Sequence, residues 1–268
     1  MVYVVFILIS FLASVIGCIC GIGGGVIIKP VMDAFHIYSV STVSFMSGCI
    51  VLSMTAYSVV KSRLSGESTV EKGTSTYLAI GAAIGGLAGK QLFDVIKSAS
   101  ANADAVGAVQ AAALFALTLA TVVYTLNKSR IRTHSVRSPL VCAVIGLALG
   151  LMSSFLGIGG GPINLVVLGF FFSMDSKTAA QNSLYVILIS QLASLIFAFV
   201  TRTVPDFPAA LLAATVVCGI AGGAVGRRIN KRIDSAAVDK LFVGLLAVIM
   251  CVCVYNFLQF RVCDPNTL

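Results

Sequence analysis

The chain has 268 residues, 58% hydrophobic and only 10% charged, with a net charge of +8 and a mean hydropathy of +1.02. Those proportions exclude an ordinary soluble domain and put the chain in a lipid bilayer. A helical crossing takes about 20 apolar residues, and the continuous apolar runs exclude the period-2 alternation of a membrane β-barrel. The expected fold class is therefore all-α and polytopic.

In chain order, the first element runs from Val2 to Tyr38 and is broken at "CGIGGGVIIKP", Cys20 to Pro30. "VIGC", Val15 to Cys18, has the form of a lipoprotein cleavage box. No basic residue precedes the apolar run, so the segment is read as retained. Plain spans follow over Val40 to Val60, Thr74 to Phe93 and Val106 to Leu126, and then the charged stretch "NKSRIRTHSVR", Asn127 to Arg137. This basic linker, with His134, reads as a solvated loop facing anionic headgroups. The second half starts with Leu140 to Phe172, broken at "LGIGGGPINL", and continues with Thr178 to Val200, Ala209 to Gly226 and Val238 to Phe260.

A shift of 136 residues lays Gly21 to Gly25 on Gly157 to Gly161, Phe35 on Phe171, Thr42 on Thr178 and Ser47 on Ser183. After one residue of slip, "GGLAGK" (Gly85 to Lys90) meets "GGAVGR" (Gly222 to Arg227). The chain thus reads as a duplication: residues 1–126 and 139–268 are the copies and 127–138 is the linker.

Charge decides how the copies lie. If every element crossed once, the eighteen lysines and arginines would divide evenly between the two sides. If each Gly-broken element instead returns to the side it entered from, one face collects thirteen of them. These are Lys61, Arg63, Lys72, the four of the linker, Lys177, Arg227, Arg228, Lys231, Arg232 and Lys240. The positive-inside rule selects the second arrangement, with that face cytoplasmic. Each copy then has an odd number of full crossings, so the copies are expected to be inverted, each a Gly-broken re-entrant element plus three transmembrane helices. Val26 to Tyr38 is thirteen residues, about 20 Å as helix and too short to cross.

A break in a lipid-buried helix survives only where it lines a cavity or is buried in protein, because an unsatisfied amide in hydrocarbon costs several kcal/mol. Half-helices starting near Val26 and Pro162 would aim bare N–H groups and positive dipole ends at the midplane, which is an anion site. The expected substrate-binding residues are Gly23, Gly24, Gly25, Gly159, Gly160 and Gly161, with Lys29, Ser47, Asn164, Gln181, Asn182 and Ser183 around them. Lys29 reads either as part of the site or as a snorkelling residue paired with Asp33; its counterpart in the second copy is Leu165. Asn164 reads as a ligand contact or a backbone cap. Gln181, Asn182, Ser183 and Ser47 read equally as cavity wall or as interhelical glue, with Gln191 a weaker candidate. "GAAIGGLAGK" and its copy read as small-residue helix contacts.

No metal or cofactor is expected. The eight cysteines form no ligand set, and "GIGGG" fails as a dinucleotide fingerprint because Val26 and Pro162 stand at the third glycine position. No GxxxxGK[ST], HExxH or GxSxG occurs, so neither ATP-driven transport nor catalysis is expected. Asp33, His36 and Asp175 are candidate carriers of a coupling proton.

The paired GIGGG segments, each closing an N-terminal apolar helix of a duplicated half, resemble the sulfite exporter TauE/SafE family of TSUP-type membrane transporters. Pro30 matches the proline several residues after the motif in that family, whereas the second copy has Pro162 directly after its glycines. The resemblance implies secondary transport of a small sulfur-containing or organic anion, such as sulfite, a thiosulfate-like species or sulfoacetate, across a plasma (inner) membrane. The partners so implied are that anion, membrane lipid and a coupling ion such as H⁺, with no nucleic acid; the oligomeric state is left open. An anion-selective channel using the same breaks as a filter is the alternative.

Overall fold

The computed structural model describes residues 2–35, 37–99, 103–155 and 161–262. His36, Gly159, Gly160 and the side chain of Asp33 lie outside what is described. The described residues form helices and connecting turns, with no strand. The helices are α1 (Val2–Cys20), α2 (Gly25–Ala34), α3 (Val40–Leu64), α4 (Lys72–Ala99) and α5 (Ala103–Asn127), then α6 (Pro139–Phe155), α7 (Ile163–Phe172), α8 (Ser176–Val200), α9 (Ala209–Arg232) and α10 (Ser235–Val262). Among the described residues five stretches are long and apolar enough to cross a membrane: Tyr3–Cys20, Ser41–Leu64, Ser176–Val200, Ala209–Arg232 and Ser235–Val254. Three shorter helical stretches, Ala112–Asn127, Pro139–Phe155 and Ile163–Phe172, are also apolar. The chain is a polytopic α-helical membrane protein.

The short half-helix is shorter than expected, ending at Ala34 rather than Tyr38. Pro30 sits inside it and has no N–H to return to the Val26 carbonyl, which weakens the helix near its middle.

α3 and α8 have matching bounds under the 136-residue shift, and so do their ends. Ser39 and Asp175, equivalent positions, cap them by accepting from the amides of Thr42 and Lys177 at 3.2 Å each. At the far ends Gly66 and Arg202, also equivalent, both adopt positive φ, +69° and +54°. The amides after them close matching bonds, Glu67 to the Ser62 carbonyl and Thr203 to the Ala198 carbonyl. The two helices cross antiparallel. Gly48 lies by Gln191 and Ser62 by Gln181, so the start of one meets the end of the other.

The third long helix of each half packs on the first helix of the other half. A Cβ built on Gly85 would overlap the Leu147 carbonyl, and one on Gly89 would lie 2.7 Å from the Leu151 carbonyl, which joins α4 to α6. The equivalent Gly222 and Gly226 sit 2.6 and 2.5 Å from the carbonyls of Phe11 and Val15 by the same measure, which joins α9 to α1. Only hydrogen fits at these four positions, so backbones approach as they do at small-residue crossings in membranes. The last helices of the two halves, α5 and α10, also pack together.

Candidate functional site

α1 ends where the glycines begin. The Gly17 carbonyl accepts from Ile22 and Gly23 at 3.0 and 3.4 Å, and the chain then turns back on itself with Gly21, Gly23 and Gly24 at φ of +73°, +78° and +69°. An L side chain is strained at such angles, which is why the turn is built of glycine. Gly25 donates to Gly23 at 2.8 Å, and Ile27 and Ile28 donate to the Gly24 carbonyl at 3.0 Å, so α2 is under way within one turn. Among the described residues the amides of Gly24 and Val26 find no backbone acceptor. These are the bare N–H groups that a helix start leaves over.

The break lies at the seam between the halves. A Cβ built on Gly23 would be 3.2 Å from Val51 on α3 and 3.2 Å from Ile187 on α8, and those two residues are equivalent under the duplication. Both stand near the middle of their helices. Gly21 presses on Ala180 of α8 in the same way.

In the second half Gly161 and Pro162 are buried, and Pro162 already has helical angles ahead of α7. Asn164 is 2% exposed; its amide nitrogen donates to the Gly161 carbonyl at 3.2 Å and its side chain to Ser183 Oγ at 3.4 Å. Leu165, at the start of α7, packs against the apolar cluster that also holds Ile22, Val26, Val238 and Phe242. Lys29, only 7% exposed, is buried one turn into α2 and is not without an interaction partner. Ser47 is buried on α3 and Ser183 fully buried on α8.

Gln181 and Asn182 are used differently. The Asn182 side chain accepts from the Glu71 amide at 3.0 Å and from Ser75, and donates to the Thr69 and Thr178 carbonyls at 3.2 and 2.8 Å. It ties the α3–α4 loop down onto α8. Gln181 Oε1 accepts from Ser62 Oγ at 3.3 Å and from the Thr69 amide at 3.2 Å. Asp175, the cap of α8, also accepts from Ser235 Oγ at 2.9 Å. Its partial burial opposes ionisation, but hydrogen bonds from Thr178, Ser235 and backbone amides outweigh that and hold its carboxyl below the ordinary aspartate value.

The chain matches the family described as Sulfite exporter TauE/SafE over residues 6–252. It belongs to that family. Neither a curated protein nor a solved structure matches it. TauE/SafE proteins are membrane transporters rather than enzymes, and the family points to a small anion as cargo.

Two further groups in this TauE/SafE chain escape a reading of the sequence. Ser14 and Ser153, on α1 and α6, are buried hydroxyls with no hydrogen-bond partner among the described residues. Each lies shortly before its half's glycine break, and buried unsatisfied groups are rare enough to mark special places. The second group lies at the face that carries the basic residues. A cavity of about 90 Å³ is lined there by Cys18, Ser62, Glu67, Gln181, Arg227 and Lys231, among others, and Ala180, against which Gly21 presses, forms part of its wall. The sequence holds a signal for it in the basic end of "GGAVGRRINKR" (Gly222 to Arg232), but the acidic partner on another loop has no pattern that would have announced it.

Proposed function

We propose that this TauE/SafE chain is a secondary transporter that exports a small sulfur-containing or organic anion, sulfite in the first instance, across the plasma membrane. The anion binds near the midplane between the two glycine breaks, which belong to two inverted repeats, residues 1–126 and 139–268. The observation that carries this reading is the position of Gly23 between Val51 and Ile187, at the seam where equivalent helices of the two halves cross. A break at such a seam is reshaped when one half rocks against the other, which is what alternating access requires. The amides of Gly24 and Val26 and the start of α2 supply positive partial charge there, and the buried Lys29 stands one turn further along the same helix. Asn164 and Ser183 supply neutral donors from the second half. The antiparallel crossing of α3 and α8 and the exchanged glycine contacts support the inverted arrangement.

The test is binding of sulfite to the purified chain, read by calorimetry and by the rise in melting temperature that a ligand of the folded state produces. Lys29→Ala should raise Kd about tenfold or more, the loss of one charged contact in a buried setting. An unchanged Kd and salt dependence in that variant would remove Lys29 from the site, and no binding by the wild type would remove sulfite.

A further inference from the structure

The cavity at the basic face has a built-in occupant. Glu67, in the loop after α3, places one carboxylate oxygen, Oε2, against both Arg227 Nη2 at 2.8 Å and Lys231 Nζ. Arg227 is the more buried cation, its side chain 14% exposed against 44% for Lys231. One oxygen thus serves two cations, and the arginine keeps further N–H groups to spare. The Gln181 carbonyl oxygen is taken by Ser62 and Thr69, which leaves its NH₂ as a donor at the same cavity. Asn230 is held the other way, donating to the Ile19 carbonyl at 2.7 Å and so fixing the end of α1 against α9 beneath the break. The cation pair and the glycine turn are therefore separated by little more than the wall around Ala180.

We propose that this cavity is a loading site for a small oxyanion of the sulfite or sulfonate type, and that the Glu67 carboxylate is a tethered stand-in which the anion displaces. A pyramidal anion with three oxygens satisfies the arginine fork, the lysine and the Gln181 amide together, whereas Glu67 brings one oxygen to the cations. Glu67 is half-exposed, so its ion pairs are weak and readily exchanged. With two cations against one carboxylate, the mouth keeps a net positive charge that draws anions in. Transfer from this cavity to the midplane rests on the anion-transport reading given above; binding in the cavity does not.

Calorimetric titration of the full-length chain in micelles with sulfite, and separately with methanesulfonate, at constant ionic strength tests it. Glu67→Gln should lower Kd about two- to fivefold, the size of an exposed ion pair. Arg227→Gln should raise it about tenfold. Lys231→Gln, on an exposed side chain that leaves folding intact, should raise Kd and flatten its salt dependence. If Glu67→Gln and Lys231→Gln both leave Kd unchanged while Lys29→Ala raises it, the loading site is overturned and the midplane site stands. If Lys231→Gln raises Kd while Lys29→Ala does not, the loading site stands and the midplane site falls. Absence of binding of both anions by the wild type overturns the loading site and removes sulfite as the cargo of the midplane site.

Discussion

Under the duplication the two ends of the α3–α8 crossing ought to be alike, and chemically they are opposites. At the basic face the start of α8 offers Gln181 and Asn182, which pin the α3–α4 loop, and Gln181 also lines a cation-bearing cavity. At the opposite face the equivalent positions on α3 are Phe45 and Met46. Phe45 stacks on Phe207 with ring centroids 5.3 Å apart and meets Phe199 edge-on at 6.1 Å, while Met46 is fully buried. The acid and arginine of the cavity, Glu67 and Arg227, correspond to Thr203 and Lys90. One scaffold therefore carries a polar, cationic cavity at one end and a packed aromatic cluster at the other.

What the two ends share is their backbone, and that is where the largest effects should fall. Gly85→Leu and Gly222→Leu each force a side chain into a carbonyl of the other half. Each is expected to cost about 3 kcal/mol or more and to abolish folded protein, seen as loss of the monodisperse peak on size exclusion. Tolerance of one and not the other would show that the equivalence of the α4–α6 and α9–α1 contacts is only superficial.

The polar clamp comes next. Asn182→Ala strands the Glu71 amide and the Thr69 carbonyl, and should destabilise by about 1–3 kcal/mol, read as a lower Tm. Met46→Ala, at the matching position, loses apolar contact and leaves a cavity, for about 2–5 kcal/mol. Only the first should loosen the α3–α4 loop, measured as faster amide exchange over residues 65–71.

The smallest effect concerns pH. The hydrogen bond from Lys231, with the nearby charge of Arg227, holds the Glu67 carboxyl below its ordinary value of 4.5. A depressed folded value means that the Glu67 ion pairs contribute above the ordinary value and are lost as pH falls through the folded one. The Tm difference between wild type and Glu67→Gln should therefore stay constant from about pH 8 to about pH 5 and shrink only below that. A difference that vanishes near neutral pH would mean that the carboxylate is not held by the cation pair.

Much of this was legible from the residues. An all-α polytopic chain and a short helix after the first glycine break follow from apolar length and the glycine segment. Helix ends did not: α9 was expected to stop at Gly226 and runs on to Arg232, because a helix continues past the hydrocarbon for as long as its charged side chains reach water. α3 likewise extends from the expected Val60 to Leu64. Of the candidate site, the glycines as the place of the break were readable from type and position, while Lys29, open between the site and a snorkelling residue, is buried. The commitment of Asn182 to Thr69, Glu71 and Ser75 was not, since those partners lie more than a hundred residues away on a loop without a motif. The aromatic cluster escaped for the same reason: Phe45 and Phe207 are ordinary apolar residues until the fold stacks them.

The most direct measurement is counterflow of labelled sulfite into proteoliposomes preloaded with unlabelled sulfite, for wild type and Gly23→Val. Wild type should accumulate label with saturation, and the valine, wedged between Val51 and Ile187 at a backbone angle it resists, should stop it while the protein stays folded. Absent or unsaturable flux in the wild type, or undiminished counterflow in the folded valine variant, would contradict passage of the anion through the glycine seam.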